Sequence, residues 1–208
     1  DEFLGVQASE TYKFFILNSP SGPYYGKPVK VKVERDFSRA ADGGTGYAKA
    51  AGNYAGSLYP AMLAKKQGFD QLLWTDSKTH TKLEEAGTMN LMFVINGKLL
   101  TPKLSGSILP GITRDSVLHL AKTWGMEVEE REVLVEEIRE AMENGNITEA
   151  FGVGTAATIA HIESISIDGN NYNLPAVEGR EFANRVKSYL ADLKTGRIED
   201  EFGWMFKI

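Results

Sequence analysis

The chain has 208 residues, of which 42% are apolar and 25% are charged, a composition typical of a folded globular protein rather than a disordered one. Its 28 acidic residues outnumber its 23 basic residues, so the net charge is −5, and no segment gathers the lysines and arginines that bind a nucleic-acid backbone. Cysteine is absent, which excludes disulfides, thiolate nucleophiles and thiolate metal ligands.

The sequence carries neither a membrane-spanning pattern nor an export signal. Its longest apolar stretches, such as residues 91–95, are far shorter than the roughly 20 residues that cross a bilayer. The first ten residues, DEFLGVQASE, lack the basic start and the apolar centre of a signal peptide. We therefore expect a cytoplasmic protein with no membrane partner. Because the sequence lacks an initiator methionine, we also expect a fragment of a longer chain.

The first predicted elements are two strands. Residues 12–18, YKFFILN, are aromatic and aliphatic and predict a buried strand, which the turn-forming segment SPSGPYYGKP follows. Val29, Val31 and Val33 then alternate with charged residues, the pattern of a strand with one solvent-exposed face.

A helix is predicted after the glycine-rich and alanine-rich residues 40–56. Pro60 is expected in its first turn, where a missing N–H costs little, and Gly68 is expected to end it. Its helical positions are Leu58, Ala61, Met62 and Lys65. Two strands follow at residues 71–75 and 89–96, and Asn96-Gly97 predicts a hairpin turn into residues 98–101.

The second half predicts three helices and further strands. Residues 115–124 and 136–143 each place apolar side chains on one helical face, and residues 150–167 predict strands that end at the turn DGNN. A last helix ends near Gly196, and its apolar positions are Phe182, Val186, Tyr189, Leu190 and Leu193. Strands interspersed with helices in this irregular order predict an α+β fold.

Four segments combine glycines and hydroxyl residues with a reactive group: GGTGYAKAAGNYA, EEAGTMN, SGSILPGITR and EAFGVGTAA. Glycine-rich turns let backbone N–H groups converge on an anion, and LPGIT and GVGTA each add a threonine. Neither turn matches a nucleotide-binding motif. Lys49 follows the first glycine run, where a crowded, poorly hydrated amine would suit Schiff-base chemistry, but this segment alone favours a surface lysine. Glu85 precedes an apolar strand, so we expect it to be buried with a cationic or hydrogen-bonding partner, and Glu84 to be solvated.

Taken together, these four motifs resemble the large domain of the branched-chain amino acid aminotransferases, which belong to the fold-type IV pyridoxal phosphate enzymes. The resemblance covers nearly the whole chain from about Tyr12 onward. It implies the fold of the D-amino acid aminotransferase-like group, a pseudo-barrel of β-sheets surrounded by helices. It also implies that residues 1–208 are the large cofactor-binding domain and that the family's small N-terminal domain, which supplies an arginine to the phosphate, is absent.

The resemblance assigns roles to individual residues around pyridoxal 5'-phosphate. Lys49 would form the Schiff base and move the substrate proton, and Glu85 would keep the ring nitrogen protonated. The other cofactor contacts would be Tyr54, Leu109, Ile112, Thr113 and Thr155. The substrate would be bordered by Thr88, Thr155 and Ala156. No CxxC follows the GTA turn, so the thiol redox control of some members is not expected.

The implied reaction is transfer of the amino group of leucine, isoleucine or valine to 2-oxoglutarate by a homodimer or a higher homo-oligomer. The alternatives are a D-amino acid aminotransferase, an aminodeoxychorismate lyase, or a fragment that binds the cofactor or dimerises without turnover. We expect this chain alone to fold but to have little activity. His80, His119 and His161 are widely separated and share no metal-ligand spacing, so no metal is expected.

Overall fold

The computed structural model describes residues 4–20, 22 and 25–206. Within these ranges ten strands form one sheet and four α-helices surround it. The strands are β1 (Val29–Val33), β2 (Gln71–Thr75), β3 (Lys82–Ala86), β4 (Met89–Ile95), β5 (Lys98–Pro102), β6 (Val128–Arg131), β7 (Val133–Leu134), β8 (Ile147–Gly154), β9 (Thr158–Ile167) and β10 (Asn170–Asn173). The helices are α1 (Gly52–Lys66), α2 (Ile112–Thr123), α3 (Val135–Glu143) and α4 (Glu181–Lys194), with a 3₁₀ turn at Val177–Gly179.

Six strands close into a ring. Strand β4 pairs with β8, and the pairing continues through β9, β1, β2 and β3 back to β4. Strand β1 is parallel to both of its neighbours, whereas the other pairs in the ring are antiparallel. Because closure pairs both edges of each strand, no member of the ring exposes a free ladder of N–H and C=O groups along its whole length. The predicted α+β fold with a pseudo-barrel is confirmed.

The alternation in β1 shows how the sequence builds the barrel core. Val29, Val31 and Val33 point inward and are fully buried, whereas Lys30 points to solvent. Together with β-branched and leucine side chains of β2, β3, β8 and β9, these valines fill the interior, and α3 adds Ile138. This strand and its solvent-exposed lysine follow the prediction from the period of two.

Helices α2 and α4 cover the outside of β4 and β8. Their buried faces, such as Val117 of α2 and Val186 of α4, pack on Met92 and Phe151 of the sheet. The carboxylate of Glu149 on β8 accepts hydrogen bonds from the backbone N–H groups of residues 182 and 183, at 2.9 and 2.8 Å. A carboxylate at this position complements the positive end of the α4 dipole, so a strand residue fixes where the helix begins.

Two predicted turns are confirmed by left-handed backbone conformations. Asn96 and Gly97 have φ angles of 50° and 77°, which match the two-residue hairpin turn between β4 and β5. Asp168 and Gly169 have φ angles of 50° and 87° and join β9 to β10 in the same way. The predicted strand at 71–75 and the predicted last helix are also confirmed.

The prediction of a buried strand at residues 12–18 is wrong. These residues form no strand, and Phe14 is 90% exposed. The turn-forming segment after it falls partly on residues 21, 23 and 24, which lie outside the described ranges. An apolar run predicts burial only where a second surface is available to cover it, and no described part of this chain does so.

Helix α1 differs from its prediction at its start. It begins at Gly52, so Pro60 lies in its middle rather than in its first turn. Asn53 explains the early start, because its side-chain amide donates to the carbonyls of Thr45 and Ala48 and ties the helix to the preceding loop. Leu58 is 68% exposed, and only Pro60 and Ala64 of the helix are buried.

Smaller differences concern short or polar elements. The sequence did not predict β3, β6 and β7, which have two to five residues each, and α2 begins three residues before Asp115. Among the described residues, no helix combines the length and the apolar character that a bilayer span requires. The same residues bring no three histidine, aspartate or glutamate side chains together as metal ligands.

Candidate active site

One end of the barrel opens on a cavity of about 230 Å³. Its walls come from the loop before α1, the β3–β4 turn, the loop before α2 and the end of β8. Seven of the nine residues predicted for the site line it: Lys49, Glu85, Thr88, Leu109, Ile112, Thr113 and Thr155. The other two are Tyr54, which lines a smaller adjoining cavity, and Ala156, which follows Thr155 in an exposed turn.

Close packing of backbones positions the loop that carries Lys49. Gly46 is buried, and a Cβ atom there would lie 2.6 Å from the carbonyl oxygen of Ser107 and 2.5 Å from the Cβ of Ala40. The backbone N–H of Tyr47 donates to the carbonyl of Gly106 at 3.1 Å. Glycine at position 46 therefore lets the Lys49 loop contact the loop before α2 directly.

Lys49 itself is exposed, which agrees with the surface lysine that its segment alone favours; the alternative, a crowded and poorly hydrated amine, is not what the described chain shows. Its side chain lines the cavity, but the described residues leave the amine accessible to water. The small residues on either side of Lys49 suggested crowding, yet small side chains by themselves supply little surface to cover a lysine.

Glu85 is buried, as predicted, with 2% of its surface exposed. Its Oε1 accepts a hydrogen bond from the backbone N–H of Leu109 at 2.8 Å, and its Oε2 lies 2.9 Å from Nε of Arg39. Burial raises the pKa of the Glu85 carboxyl to about 7, although the Arg39 guanidinium and the Leu109 N–H both oppose the shift. Glu85 thus presents a basic oxygen to the cavity near neutral pH.

Glu84 is more exposed than Glu85 but is not fully solvated. It is half-buried, and its carboxylate accepts a hydrogen bond from the hydroxyl of Ser107. Burial raises the pKa of Glu84, and the Ser107 hydroxyl and Arg39 oppose this. Because the two glutamates alternate on β3, Glu84 points away from the cavity that Glu85 lines.

The first turn of α2 provides backbone donors at the cavity wall. Helix α2 begins at Ile112, and no described side chain caps it at Gly111. The amide of Asn90 donates to the carbonyl of Leu109 at 2.8 Å, and a Cβ at Gly111 would lie 2.2 Å from Oδ1 of Asn90. Uncapped N–H groups at a helix start attract an anion, and the hydroxyls of Thr113 and Thr155 line the same space.

Three residues that the sequence did not predict belong to this arrangement. Arg39 pairs with Glu85, Asn90 holds the loop before α2, and Ser107 bonds Glu84. Asn90 is the last residue of the motif EEAGTMN, in which only the glutamates and the threonine had predicted roles. Arg39 was detectable only indirectly, since a buried Glu85 requires a cation and FSRA precedes the glycine run.

Comparisons with known proteins identify the family. The profile of the amino-transferase class IV family matches residues 3–165. The chain is 44% identical to branched-chain-amino-acid aminotransferase 2 of Bacillus subtilis, covering 100% of this chain and 58% of that protein. It is 46% identical to a probable branched-chain-amino-acid aminotransferase of Staphylococcus aureus, with 97% and 57% covered. The chain thus spans less than two thirds of the length of these curated relatives.

Solved structures agree with this result. The branched-chain aminotransferase of Thermoproteus uzoniensis, determined with norvaline, superposes with a TM-score of 0.76 and 28% identity over 90% of this chain and 59% of that one. The branched-chain amino acid aminotransferase of Escherichia coli gives a TM-score of 0.72 and 32% identity over 86% and 57%. The chain belongs to the amino-transferase class IV family, and its closed ring of strands is the fold that these enzymes share.

Proposed function

We propose that the protein is a pyridoxal phosphate-dependent branched-chain amino acid aminotransferase, which transfers the amino group of leucine, isoleucine or valine to 2-oxoglutarate. The observation that carries the proposal is one cavity lined by an amine at Lys49, a buried carboxyl at Glu85 and the uncapped start of α2. The names of the relatives in Bacillus subtilis and Staphylococcus aureus support the same reaction.

The residues of the cavity fit pyridoxal phosphate. The start of α2, together with the hydroxyls of Thr113 and Thr155, suits a phosphate, because backbone N–H groups and hydroxyls donate to anions. Glu85 is the buried acceptor that a protonated ring nitrogen needs. The close approach of Asn90 to Gly111 leaves backbone, rather than a side chain, at the cavity wall. Solved relatives include one described as the holo form with pyridoxal phosphate.

When bound, pyridoxal phosphate supplies an electron sink for the electron pair left by the broken Cα–H bond of the amino acid. Nζ of Lys49 would hold the cofactor at its aldehyde carbon. Once the substrate amine has replaced it there, the freed amine of Lys49 would carry the proton from the substrate Cα to C4′ of the cofactor. Glu85 holds a proton at the ring nitrogen. Backbone N–H groups of Ile112 and Thr113 and the hydroxyl of Thr155 bind the phosphate.

Other residues orient the ring and the substrate. Tyr54 lines the adjoining cavity, and its hydroxyl would donate to the phenolic oxygen of the cofactor; Leu109 lines the larger cavity and would pack against the ring. Thr88 and the Thr155-Ala156 turn border the amino acid. Each of these roles is part of the proposal.

We further propose that residues 1–208 form the large cofactor-binding domain of a cytoplasmic homo-oligomer, in the simplest case a twofold dimer. Several large apolar side chains that are exposed in the single chain support an interface with a second copy. They are Phe14 and Leu17 in the N-terminal segment and Leu58 and Tyr59 on α1. An interface that covered these side chains would remove their apolar surface from water.

The reaction is tested by spectroscopy of the full-length protein loaded with pyridoxal phosphate. L-leucine, added without an oxo acid, should convert the bound cofactor to its amino form, and the absorbance of the aldehyde form should disappear. D-alanine should leave that absorbance unchanged. Conversion by D-alanine and not by L-leucine would indicate a D-amino acid aminotransferase, and cofactor binding without any conversion would indicate a domain that binds but does not turn over.

A further inference from the structure

Arg39 connects three segments that each contribute to the cavity. It lies between β1 and the Lys49 loop, and its side chain is 9% exposed. Its Nε is 2.9 Å from Oε2 of Glu85. The two groups form an ion pair, but the Nε–H does not point at the oxygen well enough to form a hydrogen bond. Its Nη2 donates to the carbonyl of Gly46 at 3.1 Å and to the carbonyl of Ser107. One guanidinium therefore joins the Lys49 loop, β3 and the loop before α2.

Arg39 does not line the larger cavity, although it lines the smaller adjoining one with Tyr54, and the ion pair with Glu85 is what links it to the larger cavity. The Leu109 N–H binds one oxygen of Glu85 and Arg39 approaches the other, which fixes the plane of the carboxylate. Two further ionisable groups act near it. Glu84, the next residue on β3, raises the pKa of Glu85, and Lys49 lines the same cavity.

A cation beside Glu85 also decides where a shared proton resides. A carboxyl and a pyridine nitrogen in contact share one proton, which lies on the nitrogen when the carboxylate is the weaker base. A positive charge close to Oε2 makes the carboxylate a weaker base. Because Arg39 approaches Oε2 of Glu85 directly and does not line the larger cavity, its charge acts first on the carboxylate.

We propose that Arg39 is a positioning residue that keeps Glu85 ionised and oriented, so that the cofactor ring is protonated with the help of a residue that does not itself line the larger cavity. The inference about the ring rests on the proposed function, whereas the effect on Glu85 does not. Arg39 also holds the loops of Lys49 and Leu109 at the same carboxylate, which couples the position of the amine to that of the acid.

The effect on Glu85 is tested in the cofactor-free, full-length protein. Infrared difference spectra across pH report the protonated carboxyl band that is missing from Glu85→Gln. Arg39→Met should raise the midpoint of this band by about one to three pH units, since an opposite charge at this distance shifts a carboxyl by that amount. Arg35→Met is the matched control, because Arg35 forms a two-point ion pair with Asp168 at 3.1 Å for each contact, outside the cavity. The control should leave the midpoint unchanged.

The effect on the ring is tested with pyridoxal phosphate labelled with ¹⁵N in the ring. In Arg39→Met the ring nitrogen signal should move toward that of the unprotonated pyridine, and the rate of leucine deprotonation should fall, by at most about tenfold for each unit by which the pKa of Glu85 rises. The dissociation constant of leucine should change much less. Arg39→Lys, which keeps a cation beside Glu85, should restore most of the signal and of the rate.

The outcomes separate the two proposals. Failure of the protein to bind pyridoxal phosphate overturns the proposed function, but the infrared titration still decides the role of Arg39. An unchanged midpoint in folded Arg39→Met, or no rescue by folded Arg39→Lys, overturns that role. If Arg39→Met does not fold, Arg39→Gln replaces it, because its amide still donates to the carbonyls of Gly46 and Ser107.

Discussion

His161 on β9 predicts a specific loss of stability in acid. It faces Phe151 on β8, only 6% of its surface is exposed, and within the described residues neither ring nitrogen makes a hydrogen bond. Burial lowers its pKa from 6.5 to about 4, and the positive charges of Arg180 and Lys187 add to the shift, whereas Asn184 opposes it.

The direction of the pH effect follows from proton binding. Between pH 6.5 and about pH 4 the unfolded chain carries a proton on this histidine and the folded protein does not. The free energy of unfolding therefore falls as the pH falls through this window, and levels off below it. A difference of two to three pKa units corresponds to about 3 kcal/mol, a large part of the 5 to 15 kcal/mol that stabilises an ordinary domain.

The assay is urea unfolding of the full-length protein, followed by tryptophan fluorescence, at several pH values from 7.5 to about 4.5. His161→Leu, which has a similar volume and no titration, should lose about 3 kcal/mol less than the wild type over this range. The free energy of unfolding of each variant must be compared with that of the wild type at the same pH. Glu85 titrates in the same window, and its raised pKa makes the folded protein more stable as the pH falls, which is opposite to the effect of His161. His119→Leu is the control, since His119 is exposed on α2 and packs only at ring edges with Phe202 and Trp204.

The protein has three histidines, so the folded pKa can also be read directly from three imidazole NMR signals. The signal lost in His161→Leu should remain that of a neutral ring until the pH falls to about 4. A signal that titrates near its ordinary value, or equal acid sensitivity of the wild type and His161→Leu, would show that burial does not keep His161 neutral.

Three further predictions concern the candidate site. Borohydride reduction of the protein with pyridoxal phosphate, followed by peptide mapping, should place the adduct on Lys49, and an adduct on another lysine would contradict its role. Glu85→Gln should keep the cofactor bound but slow removal of the leucine α-proton, so an unchanged half-reaction rate would argue against Glu85 as the partner of the ring nitrogen. Gly46→Ala should cost about 1 to 3 kcal/mol of stability and weaken cofactor binding, because its Cβ would lie 2.6 Å from the Ser107 carbonyl. Gly56→Ala, in the open middle of α1, is its control, and equal unfolding midpoints for the two variants would contradict the close packing.

Patterns that depend on local chemistry were predictable from the sequence. The alternating valines of β1, the turn at Asn96-Gly97 and the apolar face of α4 each follow from a period or a backbone preference that neighbours along the chain determine. The four glycine-rich motifs also predicted seven of the nine residues correctly as lining one cavity, because the resemblance they carry concerns a shared set of side chains.

Features that depend on distant partners were not predictable in this way. The apolar composition of residues 12–18 predicted a buried strand, but these residues are exposed. Composition shows that a segment would gain from burial, and it does not show whether another surface is available to cover it. Strand β3, with the sequence KLEEA, has too many charges for a strand pattern, and its two glutamates make sense only with Arg39 and Ser107 beside them. Arg39 is far from Glu85 in the chain, so no local period connects the two.

The closed ring also constrains the order in which the chain can fold during synthesis. Val31 of β1 pairs with Gln71 of β2 on one side and with Ile165 of β9 on the other. A ribosome therefore makes most of the chain before the second partner of β1 exists, and the ring cannot close earlier. During that interval β1 carries an unpaired edge next to a row of valines, which is the kind of segment that associates with other nascent chains. From this strand order we expect the ring to close slowly and late, because its closing contacts join residues that are distant in the sequence. We also expect the refolding yield to fall as the protein concentration rises.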